Sequence, residues 1–96
     1  EVRRAVWSPA MSCTVTYILN AAGGGRPVER GSAPKRPTWW RAQAWLVLPS
    51  GEKFVHSTRV RETARTLIPV MDALFQNMIA THGNIVTSAG WSASTH

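Results

Sequence analysis

Apolar and polar residues alternate with a period of two over four stretches of the chain and recur at three and four over a fifth. Between Ser12 and Asn20, Cys13, Val15, Tyr17 and Leu19 interleave with Thr14, Thr16 and Ile18. This β-branched run predicts a strand, with Cys13 turned into the core beside Val15 and Tyr17. The pattern is lost from Ala21 to Pro37. Gly23, Gly24, Gly25, Pro27, Gly31, Pro34 and Pro37 punctuate that segment, and Arg26, Arg30, Lys35 and Arg36 charge it, so a long basic loop is expected over 21–37. Its glycine run lacks the GxxxxGK[ST] spacing that cradles phosphates in nucleotide-binding loops.

Alternation resumes from Trp39 to Leu48, breaks at Pro49-Ser50-Gly51 and returns from Glu52 to Val60. Proline suits the first central position of a type I turn, and Gly51 the left-handed position after it. Together they predict a β-hairpin closed by a three-residue loop with a bulge. The turn sets the register: Leu48 opposite Glu52, Leu46 opposite Phe54, Ala44 opposite His56 and Ala42 opposite Thr58, with Trp40 further along the same face. On the other face Val47 meets Lys53, Trp45 meets Val55, Gln43 meets Ser57 and Arg41 meets Arg59. The first set is small and apolar enough to lie under a helix. Trp39 and Trp40 point to opposite faces, so at most one of them belongs to the core.

Helical periodicity follows in Ala64, Leu67, Ile68, Met71, Leu74, Phe75, Met78 and Ile79. Pro69 governs where regular helix can begin. With Thr66 as N-cap, Pro69 falls at N3, where a backbone N–H has no intrahelical acceptor, and the helix is expected over 67–81. A helix running through Pro69 loses a bond at about 3 kcal/mol, so residues 61–65 are expected to add at most a kinked turn. Gly83 is the expected stop, and Asn84 to Ser92 alternates again, with Ile85, Thr87, Ala89 and Trp91 on one side. The architecture read from these elements is α+β: a single small domain of order β-β-β-α-β, an antiparallel sheet with one long helix on one face and a basic loop between strands 1 and 2.

At 96 residues the chain has the length of one domain, placed at residues 11–96. Residues 1–10 are expected to be an N-terminal arm or an expression remnant. In the arm reading Arg3 and Arg4 grip phosphate and Trp7 docks on the body. The composition, 44% hydrophobic and 17% charged, is too apolar for a disordered chain, and no apolar run approaches the roughly 20 residues that cross a bilayer. Cys13 is the single cysteine, which excludes an intrachain disulfide and points to a reducing, cytoplasmic location.

Charge changes the picture most. The chain carries +6, and nine of its eleven cations fall between Arg26 and Arg65, whereas residues 66–96 hold only Asp72. A basic loop and a basic sheet face interleaved with tryptophans suit nucleic acid, because phosphates attract Arg and Lys while bases stack on flat rings. The expected partner is DNA or RNA. Arg26, Arg30, Lys35, Arg36, Arg41, Lys53 and Arg59 are the candidate phosphate ligands, Trp39 or Trp45 the stacking ring, and Gln43 and Ser57 the polar contacts. Arg41 and Arg59 repel each other across a strand pair unless something anionic separates them. The alternative is an interaction module, an inhibitor or adaptor that binds an acidic protein with Trp45 and Arg41 as its hot spot. Plain solvation of one sheet face also accounts for the charges, with Trp45 packed under the long loop.

The neutral half raises a separate expectation. The outer helix face shows Ala73, Gln76, Asn77, Ala80 and Thr81 without ion pairs, which suggests a covered surface and a homodimer formed through this helix or through an edge strand at 85–92. Catalysis finds no support. His56, His82 and His96 lack ligand spacing, the carboxylates are too scattered for an acid/base pair, and Cys13 reads as a buried thiol, so no enzyme, metal or cofactor is expected.

Overall fold

The computed structural model describes residues 12–20, 23–82 and 85–95. The expectations for residues 1–10 and for Gly83 as helix stop lie outside the described residues. The elements run β1 (Cys13–Asn20), β2 (Gly23–Gly24), β3 (Val28–Gly31), β4 (Thr38–Val47), β5 (Lys53–Glu62), α1 (Ala64–Thr81) and β6 (Ser88–Ser94). All strands pair antiparallel in one sheet of order β2-β1-β6-β4-β5, with β3 beside β2 on the same outer edge of β1. The fold is α+β, a sheet with a single helix on one face.

The hairpin of β4 and β5 has the register that the turn dictates: Leu46 opposite Phe54, Ala44 opposite His56, Trp45 opposite Val55, Gln43 opposite Ser57 and Arg41 opposite Arg59. Gly51 has φ of 93°, a conformation that an L side chain resists, and its N–H donates to the Leu48 carbonyl at 2.8 Å. Pairing continues to Thr38 and Glu62, and the Trp40 indole N–H, turned to the helix side, donates to the Glu62 carbonyl at 2.7 Å. That bond fastens the end of β5 where the helix begins.

Three features differ from the sequence reading. Part of the expected 21–37 loop is strand: Val28–Gly31 pairs with Thr16–Cys13, and Gly23–Gly24 with Asn20–Leu19. A residue run without apolar alternation pairs here because it lies along an exposed edge, where neither face demands a hydrophobic pattern; all four β3 residues are exposed. Second, α1 starts three residues earlier than Pro69 alone suggests. Thr63, not Thr66, is the N-cap, and the two threonines cap each other: the Thr66 N–H donates to Thr63 Oγ1 at 3.1 Å and the Thr63 N–H to Thr66 Oγ1 at 3.0 Å. Reciprocal capping satisfies two donors at once. Pro69 is exposed, and the carbonyl that it frees belongs to exposed Arg65, within reach of water. Third, residues 85–92 are no edge strand. The strand is shifted to Ser88–Ser94 and lies in the middle of the sheet, hydrogen-bonded to β1 on one side and β4 on the other, so it offers no free edge for dimerisation.

The core lies between α1 and the face of the sheet that carries Cys13, Val15, Trp40, Ala42, Ala44, Leu46, Ala89, Trp91 and Ala93. Leu67, Met71 and Phe75, each fully buried, descend from the helix onto it. Small residues along β4 and β6 make room for two whole indoles, and each helix side chain contributes about 1.5–3 kcal/mol by burial. Tyr17 meets Phe75 edge-on at 5.7 Å and stacks on Trp91 at 6.2 Å. The Trp91 indole N–H is buried and unpartnered among the described residues, a cost of about 1–3 kcal/mol that the burial of the large ring offsets. At its other end α1 closes on His82, whose N–H donates to Met78 and Ile79 and whose ring stacks on Phe54 at 4.0 Å.

Gly31 and Gly90 are both required by close approach, Gly31 against the Ser12 carbonyl and with φ of 91° as well. A Cβ on Gly90 would stand 2.5 Å from the Tyr17 carbonyl oxygen and 2.7 Å from Cζ2 of Trp45. The indole can move, but the neighbouring strand's backbone cannot without breaking its ladder. Gly90→Ala is therefore expected to destabilise the fold by about 1–3 kcal/mol, read as a lowered urea midpoint with unchanged slope.

Candidate functional site

Alternation along five adjacent strand positions divides the sheet into a helix-covered face and an open one. The cross-strand registers arrange the open face in bands running at right angles to the strands. One band reads Arg30, Thr14, Ser94, Arg41, Arg59. The next reads Val28, Thr16, Ser92, Gln43, Ser57. A third reads Ile18, Gly90, Trp45, Val55, and beyond it Ser88, Val47 and Lys53 follow. On the far side of the arginine band Trp39 stands opposite Arg61. Successive bands are two residues apart along each strand, about 7 Å.

The arginine and hydroxyl bands enclose a shallow open groove lined by Arg41, Gln43, Ser57, Arg59, Ser92 and Ser94. Hydroxyls floor it because β6 supplies serine, and Thr14 Oγ1 lies 3.0 Å from Ser94 Oγ while Thr16 Oγ1 lies 3.5 Å from Ser92 Oγ. The Gln43 amide donates to Ser57 Oγ at 3.3 Å, which holds one wall. The Arg59 guanidinium lies over the Trp39 ring, 5.7 Å from its centroid, a cation–π contact that offsets part of the cost of pairing Arg59 with Arg41. A second groove on the β3 side is lined by Thr16, Ile18, Arg26, Val28 and Arg30.

The charge on this face has one sign. Arg26, Arg30, Arg41, Lys53, Arg59 and Arg61 lie on it or at its border. The described carboxylates all fall elsewhere: Glu29 on the face of β3 shared with buried Val15, Glu62 opposite Thr38, Glu52 at the hairpin turn and Asp72 on the helix. The same face also carries Ile18, Val28, Trp39 and Val55, each about half exposed. Cations without acids, next to exposed rings and branched chains, form a surface suited to a ligand that is both anionic and partly apolar.

Of the residues expected from sequence, Arg26, Arg30, Trp39, Arg41, Gln43, Trp45, Lys53, Ser57 and Arg59 share the open face. Lys35 does not join them. It lines a separate hollow with Glu29, Thr63 and Arg65 at the start of the helix, while Arg36 is exposed in the irregular segment that precedes β4. Trp45 is neither core nor freely exposed, because its benzo edge rests over Gly90. Sequence reasoning missed Arg61, although carrying the alternation of β5 two residues further places it beside Trp39. Thr14, Thr16, Ser92 and Ser94 had no local signal: their meeting depends on β6 lying between β1 and β4.

Other reactive groups stand apart from this face. Cys13 is buried in the core, and desolvation first, with the nearby Glu29 charge second, pushes its thiol pKa up, away from a nucleophilic thiolate. His56 lies on the helix side of β5 yet is exposed. No group of metal-ligating side chains occurs among the described residues, and no helix among them is long and apolar enough to cross a membrane. Comparison with known proteins adds no relative: no protein-family model matches the chain, and no curated protein or solved structure does.

The adjacent tryptophans provide a check on which face is which. Trp40 is fully buried, whereas Trp39 is 49% exposed. Trp40→Ala is expected to cost about 3–5 kcal/mol and Trp39→Ala less than about 1 kcal/mol, measured by chemical denaturation. Equal losses would contradict the assignment of faces.

Proposed function

We propose that the protein binds nucleic acid through the open face of its sheet. The observation that carries this reading is the segregation of charge: six cations and none of the described carboxylates border a single exposed face, around a groove floored with hydroxyls. Phosphodiester oxygens match guanidinium and hydroxyl donors, and displacing counterions from the phosphates supplies a driving force that does not depend on sequence. Arg41 and Arg59 are the central ligands in this proposal, because an anion between them turns a repulsive pair into an attractive set.

Fluorescence anisotropy of labelled oligonucleotides at several salt concentrations tests it. Micromolar or tighter affinity is expected, with a log–log salt slope of several units, and an Arg41→Ala/Arg59→Ala variant is expected to flatten that slope by roughly 0.7–0.9 for each phosphate no longer neutralised. Binding that is unchanged in the double variant would rule out this face. Preference for polyglutamate over nucleic acid would favour an acidic protein partner instead.

The complementary proposal concerns the opposite side of the molecule. Val70, Ala73, Gln76, Asn77, Ala80 and Thr81 are exposed on the outer face of α1, far in charge character from the basic sheet. Two chains of +6 repel least when they meet there, so a second copy is the proposed occupant of that face. Sedimentation at micromolar concentration is expected to give twice the chain mass, and a stable monomer would dismiss the dimer.

A further inference from the structure

The order of the bands on the open face narrows the kind of nucleic acid. This step rests on the nucleic-acid reading above. We propose that the face takes a single strand rather than a duplex, with the backbone crossing the sheet along the arginine and hydroxyl bands and the bases turned onto the Trp45 band.

Two features separate the alternatives. First, the apolar band of Ile18, Gly90, Trp45 and Val55 has no hydrogen-bonding side chain beyond the single indole N–H, although Val55 is 49% and Ile18 55% exposed. A duplex shows phosphates and base edges, and its base planes are stacked away; such a band gives it little to read. Unstacked bases present flat faces, which Trp45 and the branched chains beside it can cover. Second, Trp45 is held down on the sheet. Its benzo edge rests over Gly90, directly opposite in the register, because glycine leaves that space open. A ring in this position is a platform for a base. It does not project as the wedge that minor-groove binders drive between base pairs.

The spacing fits the same arrangement. The hydroxyl band lies about 7 Å from the Trp45 band and the arginine band about 13 Å from it, separations that let a nucleotide reach from phosphate to base. From Arg30 on β3 to Arg59 on β5 is four strand spacings, about 19 Å, enough for a few nucleotides of extended backbone with a cation at either end. Thr14, Thr16, Ser92 and Ser94 lie between, and their small side chains let phosphate oxygens descend to hydroxyl donors. Trp39, across the arginine band from Trp45, supplies a second ring where the strand leaves the groove.

The test compares three labelled probes on the full chain by anisotropy at matched salt: an oligothymidylate of about twelve nucleotides, a duplex of the same length, and an abasic oligodeoxyribose phosphate of the same length and charge. Single strand is expected to bind at least about tenfold more tightly than either of the others, with loss of base stacking accounting for the difference from the abasic probe. Trp45→Ala, checked for retained fold by circular dichroism, is expected to lose about tenfold for the single strand while keeping the salt slope. The abasic probe needs no variant and keeps the test decisive if Trp45→Ala does not fold. Duplex or abasic probe bound as tightly as single strand would overturn the inference and leave the nucleic-acid reading standing. No binding to any probe near about 50 mM salt would overturn both.

Discussion

The insertion of the last strand between the first strand and the hairpin is the constraint on which the rest of the molecule depends. β6 is hydrogen-bonded on both sides, to β1 and to β4, and no other described strand joins those two parts of the chain. Its own sequence suits a central position. Ala89, Trp91 and Ala93 face the helix and complete the core, while Ser88, Gly90, Ser92 and Ser94 keep the other face low. Closing this arrangement brings together residues about 80 positions apart, and the entropy of that closure is recovered only when both ladders and the Trp91 packing form together. A sheet without β6 would split into a lone hairpin and an edge ribbon, neither with a core of its own.

The same insertion makes the open face what it is. Strand alternation turns the buried core row of each central strand to the helix and the arginine and hydroxyl rows outward with the Trp45 row, so a single basic surface arises from five strands of quite different composition. Acids are excluded from it by position: Glu29 and Glu62 fall on helix-facing positions and Asp72 on the helix. The small residues of β6 then leave a trough between two arginine-bearing edges. Where β6 lacks a side chain altogether, at Gly90, Trp45 lies across it. Stability and the proposed binding chemistry therefore rest on the same strand.

Much of this is legible along the chain, in uneven ways. The hairpin register follows from Pro49-Ser50-Gly51 because a tight turn leaves one pairing in which Leu46 and Phe54 share a face, and the core positions of β1 and α1 follow from period two and period 3.6. The helix start is misplaced from sequence because Pro69 weighs heavily there, whereas the reciprocal Thr63–Thr66 cap is worth more once the end of β5 is fixed beside it by the Trp40–Glu62 bond. Val28–Gly31 gives no signal because an edge strand exposed on both faces carries no apolar alternation. Among the site residues, the β4 and β5 members are found together by their pairing. Lys35 is grouped with them only by charge and lies elsewhere.

The division between the two kinds of information is physical. Turn chemistry and hydrophobic period act over a few residues, and they determined the hairpin, the body of the helix, the facing of β1, β4, β5 and β6 and the basic character of one surface. Strand adjacency is decided by ladders and packing between distant segments, which no local pattern encodes. Only the tertiary structure put β6 in the centre of the sheet, seated Trp45 over Gly90, and set Thr14 beside Ser94 between Arg30 and Arg41, because those contacts exist only after both ends of the chain have met.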